Sequence, residues 1–209
     1  MIVARVPADR ALPVVGRRLG KGRFADCWDH VAITFGEGDV ASSKKLGEAG
    51  VDFARLIVID HDALDGWRHE DSLDGRADFV FWGRDAGLLA RATAAPSIKD
   101  GHGWTDLPLA AAEARADQAG RIKAQNRWLL ATDFRPHSHH FHALAAARKS
   151  PHGAGAIEVA GARACLFFTS WGDGVFPIYL DADAAGRPLQ LRVQLATPET
   201  LAAMHAVNA

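Results

Sequence analysis

Hydrophobic positions recur with a period of two in some stretches and near 3.6 in others, and the switches between them divide the chain. Val31, Ile33 and Phe35 alternate with Ala32 and Thr34, the pattern of a half-buried strand ending at Gly36-Glu-Gly38. Arg55-Leu-Ile-Val-Ile-Asp60 and Asp78-Phe-Val-Phe-Trp82 are short apolar runs that predict two further strands, the second closed by Gly83. The stretch before them predicts strands joined by a basic, glycine-containing loop over 16–23. From Asp85 the pattern changes, and 86–94 reads as a short helix stopped by Pro96.

The middle of the chain is predicted to be helical. Thr105 or Asp106 can cap, Pro108 suits a first turn, and an Ala-rich stretch runs to about Leu130. Leu109, Ala112, Ala116, Ala119 and Ile122 form a narrow stripe suited to close packing on a sheet. Pro136 and Ser138 open a second helix, His139 to Lys149, which Pro151 and Gly153 close. Beyond it the period returns to two. Segments 156–159 and 163–168 flank Ala160-Gly161, and segments 175–180 and 189–195 flank Asp181-Ala-Asp-Ala-Ala-Gly186, giving two consecutive hairpins. Thr197 caps a final helix with Pro198 in its first turn. Hairpins pair antiparallel, so the expectation is an α+β fold. It consists of an antiparallel sheet with consecutive C-terminal hairpins, packed by the long Ala-rich helix and shorter helices.

Composition narrows the function classes. The 209 residues carry 24 Lys plus Arg against 25 Asp plus Glu, a net charge of -1 that removes the electrostatic case for nucleic acid or an anionic membrane as partner. The length favours a single globular domain over 1–209, and 48% hydrophobic residues suit a soluble chain with its own core. No apolar run reaches the length of a membrane span, and Arg5 and Arg10 interrupt the N-terminal apolar stretches, unlike a signal peptide. Cys27 and Cys165 are too few and too far apart for a disulfide framework or zinc site, which predicts a reduced, cytoplasmic protein.

Several segments carry chemistry worth weighing against a structural role. Gly16-Arg-Arg-Leu-Gly20-Lys-Gly22 imitates a dinucleotide-binding turn, but no helix follows to hold a phosphate, and a solvated basic loop is the better reading. Asp60-His-Asp62 ends a strand with the paired carboxylates seen at the opening motif of haloacid dehalogenase-type phosphatases, which it resembles. Leu64 and the residues after Gly172-Asp173-Gly174 depart from that pattern, so a strand end leading into a helix is the simpler account. Pro136-His-Ser-His-His-Phe-His142 is the densest cluster: with Ser138 as cap, His139 and His142 share a helix face at a spacing a metal can bridge. A helix N-terminus disfavours protonated imidazole, so these histidines are expected to be neutral. Asp181-Ala-Asp183 starts like a calcium loop but lacks its later ligands and reads as a hairpin turn. Thr169-Ser-Trp-Gly-Asp-Gly predicts a tight turn in which Asp173 bonds nearby N–H groups, with Trp171 at the same corner.

Ser170-Trp-Gly-Asp-Gly-Val-Phe-Pro-Ile-Tyr179, followed by Asp181-Ala-Asp-Ala-Ala-Gly-Arg187, resembles the C-terminal signature of a bacterial domain-of-unknown-function family. Its members carry a W-G-D-G-x-[FY]-P-x-Y hairpin and a D-A-x-G-[RE] turn, and the likeness covers 155–195. The resemblance implies a mostly β bacterial cytoplasmic domain and assigns no functional residues. The leading expectation is therefore a non-enzymatic binding domain for an unknown protein or small molecule, without cofactor or metal. Trp171, Asp173, His137, His139, His140 and His142 are its candidate binding residues. The alternative is a metal-dependent hydrolase of phosphate esters built on Asp60, Asp62 and Asp173, or on His139 and His142. Homo-oligomerisation through an exposed sheet edge is a third possibility.

Overall fold

Strand pairing and helix caps can be followed in a computed structural model, which describes residues 6 and 10–207. The predicted strand content of the first five residues lies outside them. In chain order the first elements are β1 (Val14–Arg18), β2 (Trp28–Thr34), β3 (Ser42–Val51), β4 (Arg55–Val58) and a 3-10 turn, His61–Gly66. Next come β5 (Arg76–Trp82), α1 (Ala86–Thr93), β6 (Ser97–Ile98), β7 (Gly101–Pro108), α2 (Leu109–Asn126), β8 (Ala131–Pro136) and α3 (His139–Lys149). The last elements are β9 (Ala154–Val159), β10 (Ala162–Phe168), β11 (Gly174–Ala182), β12 (Pro188–Gln194) and α4 (Pro198–Val207). Antiparallel sheets with several helices make this an α+β fold, as the hairpins required. Among the described residues no helix is long and apolar enough to cross a membrane.

Contacts gather into two compact units, each assembled from separated stretches of chain. The first comprises Met1–His61, Pro151–Ala154 and Cys165–Ala209; the second comprises Asp62–Ser150 and Gly155–Ala164. The first unit holds a five-stranded antiparallel sheet in the order β1-β2-β12-β11-β3. One face carries Trp28, Val31, Phe176 and Leu195, which pack with Val51, Phe167 and Trp171 into a core. Each large side chain buried there stabilises by about 2–3 kcal/mol relative to exposure. Residues 165–168 of β10 pair antiparallel with β4 in the same unit.

The opposite face of that sheet is polar and closed on itself. Asp181 is 1% exposed on β11, and its carboxylate accepts from Ser43 Oγ at 2.6 Å, Gln190 Nε2 at 2.8 Å and Arg192 Nε at 2.7 Å. Arg192 Nη2 adds a second bond at 3.0 Å, making the pair bidentate, and the guanidinium lies 4.8 Å from the Tyr179 ring. Burial alone would raise the Asp181 pKa; the bonds from Arg192, Ser43 and Gln190 reverse that and hold it at about 2. Asp183, two residues on, accepts from the N–H groups of Ala185 (2.9 Å) and Arg187 (2.8 Å) and shapes the hairpin turn. The imitation of a calcium loop is thus a salt bridge followed by a self-bonded turn.

The second unit holds a four-stranded sheet, β6-β7-β5-β8. Phe79 and Phe81 of β5 bury with Ala86, Leu89 and Ala90 of α1 and Ala119 of α2. Ala112 and Ala119 are fully buried, as the narrow stripe on α2 predicted. The helix begins later than expected, however. Thr105 and Asp106 belong to β7, where the register against β5 slips between Ala77 and Phe79 and Asp106 takes a left-handed φ of 60°. The Asp106 N–H donates to Asp78 Oδ1 at 2.8 Å, so the residue read as a helix cap instead belongs to a bulge. α2 also ends earlier, at a left-handed Arg127, which frees 131–136 to form β8.

Three further elements depart from the sequence reading. β3 is Ser-, Lys- and Gly-rich and carries no strand pattern; pairing with β11 makes it a strand. Gly16, taken as part of a loop, is extended in β1, and a Cβ there would lie 2.6 Å from the Trp28 ring. Its glycine serves a cross-strand tryptophan, not a phosphate. The two C-terminal hairpins are present but belong to different sheets, β9 and β10 in one and β11 and β12 in the other.

The Asp181 carboxylate links this fold to pH. Because its folded pKa is depressed, its contribution is present above the unfolded carboxylate range and lost as pH falls from about 4 toward 2, on the order of 2 kcal/mol. Asp181→Ala, which leaves Arg192 without its partner, is expected to cost on the order of 3 kcal/mol in urea unfolding at pH 7 and to flatten the stability loss between pH 5 and pH 2.

Candidate functional site

The histidine segment lies in the second unit, where Ser138 caps α3. Its hydroxyl accepts from the Phe141 N–H at 3.3 Å, and His139 to Lys149 is helical, as predicted. His137, one residue before the cap, is 6% exposed. Its Nδ1 lies 3.0 Å from Asp74 Oδ2 and its Nε2 lies 3.2 Å from Asp78 Oδ1, while its ring stacks on Phe141 at 4.2 Å. Both nitrogens face carboxylates, an arrangement that favours the doubly protonated ring, in which both donate. Burial would lower its pKa; the hydrogen bonds to Asp74 and Asp78 and their charges raise it above the ordinary histidine value. At His137 the two carboxylates act against the neutral form expected of a helix terminus.

The remaining histidines divide between other contacts. His139 Nδ1 accepts from the Arg68 N–H at 2.9 Å, the His139 N–H donates to the Arg68 carbonyl at 3.1 Å, and Trp67 stacks on the ring at 5.6 Å. Burial, then the nearby His142 and Arg68, lower its pKa and favour the neutral form. In that neutral form the proton sits on Nε2 and the Nδ1 lone pair faces Arg68, so neither nitrogen is open to a metal shared with His142. His140 lies 4.5 Å from His69, ring to ring, and His142 meets His137 and Phe141 edge-on at 6.0 and 5.5 Å. Among the described residues, no three His, Cys, Asp or Glu side chains are grouped to hold a metal ion.

Chemically, the Asp74–His137–Asp78 arrangement is a clamp. A histidine that donates from both nitrogens has no lone pair to accept a substrate proton, so it cannot act as a general base without breaking one of these bonds. It ties the loop before β5 to the start of α3. The Leu73 N–H donates to the His137 carbonyl (2.9 Å), the His137 N–H donates to the Arg76 carbonyl (3.0 Å), and the Arg76 N–H donates to Asp74 Oδ1 (2.9 Å). Asp78 offered a signal as the one acidic residue of β5, next to the apolar run 79–82, where a carboxylate drawn into the core needs a partner. Asp74 had no such signal.

Trp171 and Asp173 lie in the first unit. Trp171 is buried, not displayed at a corner: its Nε1 donates to the Trp28 carbonyl at 2.7 Å and its ring meets Phe24 edge-on at 5.8 Å. Asp173 is exposed and its carboxylate reaches a distant stretch of chain, accepting from the Ala54 N–H at 2.7 Å. The Ala54 carbonyl in turn accepts from the Thr169 N–H at 2.9 Å, and Thr169 Oγ1 donates to the Gly172 carbonyl at 2.8 Å. Segments 52–54 and 169–174 are thereby locked together. The lock holds three non-glycine residues in left-handed backbone, Phe53 at φ 65°, Ala54 at 53° and Ser170 at 65°. Phe53 is 68% exposed, with the Arg55 guanidinium 5.2 Å from its ring and Val175 60% exposed. Sequence reasoning passed over Phe53, since a lone aromatic between strands carries no pattern.

Asp60 follows β4 in the first unit, and Asp62 sits in the 3-10 turn of the second; both are exposed. No family model, curated protein or solved structure matches this chain.

The clamp predicts a pH signature. His137 has a raised folded pKa, so its contribution is complete below the unfolded value near 6.5 and disappears as pH rises through the folded pKa. Urea unfolding of the wild type is expected to weaken along that alkaline limb. His137→Gln should lower stability at pH 6 by on the order of 2–3 kcal/mol and abolish the limb.

Proposed function

We propose that the protein is a non-enzymatic binding domain that holds a protein partner through the Phe53 corner. The observation that carries this reading is an aromatic side chain kept largely exposed on a left-handed backbone by a lock of hydrogen bonds. A left-handed non-glycine residue costs about 1–2 kcal/mol, and such strain concentrates where position matters more than stability. A pre-set aromatic beside an arginine is also the residue pairing that dominates binding energies, because little freedom is lost when a partner covers it. Asp173 and Trp171 then act as positioning residues: one bonds the Ala54 N–H and the other anchors the segment to β2. The buried acidic and basic side chains of both units serve the fold, as with Asp181, Arg192, Asp78 and His137. We place the protein in the cytoplasm, on the support of its two free thiols, Cys27 and Cys165.

Phe53→Gly separates the roles. If Phe53 serves binding and not folding, glycine relieves the left-handed strain, and the variant is expected to melt at the same temperature as the wild type or a few degrees higher. A photo-crosslinking amino acid at position 53 identifies the partner. Titration of that purified partner should show at least about 30-fold weaker binding to Phe53→Gly, the loss typical of a central aromatic. A drop in melting temperature together with unchanged affinity would return Phe53 to an ordinary loop role.

A further inference from the structure

We propose that the free edge of β8 pairs with the same edge of a second copy of this chain, joining two four-stranded sheets across a twofold axis at Phe134. This rests on the second unit alone and is independent of the Phe53 corner. β8 has β5 on one side and, among the described residues, no strand on the other. Thr132 and Phe134 are exposed along it.

The direction of the backbone groups follows from one bond. The His137 N–H donates to the Arg76 carbonyl at 3.0 Å, in line with the β5–β8 register in which Ala77 faces Pro136 and Asp78 faces Arg135. In an antiparallel ladder the bonded residues alternate. Asp133 and Arg135 therefore turn their backbone groups toward β5, while Thr132, Phe134 and Pro136 turn theirs outward. Pro136, which lacks an N–H, stands at an outward position, where it removes no bond from its own sheet.

A twofold axis between antiparallel strands must pass between two copies of the same residue: an outward one, which bonds to itself, or an inward one as a non-bonded pair, which here would set Asp133 against Asp133 or Arg135 against Arg135. Phe134 is an outward residue. Centred there, the Phe134 N–H of each copy donates to the Phe134 carbonyl of the other, and each Thr132 N–H donates to the opposite Pro136 carbonyl, which has a second lone pair beside the one that accepts from its own Ser138 N–H at 2.7 Å. The flanking positions then place Asp133 of one copy opposite Arg135 of the other, twice. These are non-bonded pairs, the positions where cross-strand side chains come closest. Asp133 and Arg135 already meet within one chain at 2.6 Å on one face of the strand, partly exposed at 42% and 35%. The edge is thus self-complementary in charge, with an aromatic pair on the other face at the axis.

Sedimentation equilibrium of the full chain is expected to show a concentration-dependent species of twice the 22.4 kDa monomer. Arg135→Asp puts acid opposite acid on both sides of the axis and should weaken association about tenfold or more. The exchange Asp133→Arg with Arg135→Asp restores complementarity and should restore association. Hydrogen exchange on the wild type gives a second readout that needs no variant to fold: the Thr132 and Phe134 amides gain protection as concentration rises, and those of Asp133 and Arg135 do not. A monomer at about 100 μM, a dimer indifferent to Arg135→Asp, a folded exchange variant that stays monomeric, or protection that ignores concentration would each overturn the proposal.

Discussion

A carboxylate removed from water must be surrounded by donors, and each unit of this protein is arranged around one that is. On β11, Asp181 collects Ser43 from β3 and Gln190 and Arg192 from β12, so its satisfaction requires three neighbouring strands to be in register at once. On β5, Asp78 accepts from the Asp106 N–H and faces His137. That ties the β7 bulge to the approach of α3. An unpaired charge at either position would be far costlier than an apolar residue, so these networks select one register as well as adding stability.

This constraint explains why motif-like segments turned out to be structural. Asp181 and Asp183 imitate the start of a calcium loop because a buried salt bridge takes one acidic residue and a self-bonded turn takes another two positions on. His137 and His139 lie in one short segment yet carry opposite shifts: at His137 two carboxylates outweigh burial, while at His139 burial acts together with the nearby His142 and Arg68. Residue type and spacing are shared between these outcomes; only the partner differs.

The two surfaces proposed for recognition are parts of what the networks leave exposed. In the first unit the Asp173–Ala54 bond holds Phe53 out in solvent on a strained backbone, an arrangement with no evident benefit to the fold. In the second, β8 ends the sheet with outward backbone groups and charges that complement their own twofold image. The two surfaces differ in kind: one offers a fixed side chain, the other a row of main-chain donors and acceptors.

Local chemistry was legible wherever a residue's role depends on its immediate neighbours. Alternation located β2, short apolar runs located β4 and β5, turn signals located the hairpin strands, Ser138 capped α3 where expected, and the small residues of α2 marked its buried stripe. Gln190 and Arg192, alternating with Leu189, Leu191 and Val193, likewise marked one polar face of β12, although only the fold supplied Asp181 as its partner. β3 and β8 were not legible, because a strand of Ser, Lys and Gly, or one that follows a helix without a break in polarity, is made by the neighbour it pairs with. The Thr105–Asp106 bulge escaped for the same reason: Asp at that spacing caps a helix in isolation, and it became part of a strand because Asp78 stood across from its amide. The sequence by itself determined the helices and turns whose hydrogen bonds close within a few residues, and the strands whose own residues carry an apolar pattern. The tertiary structure decided the register of the sheets, the protonation of His137 and the exposure of Phe53, since each depends on a partner that folding brings in from a distant stretch of chain.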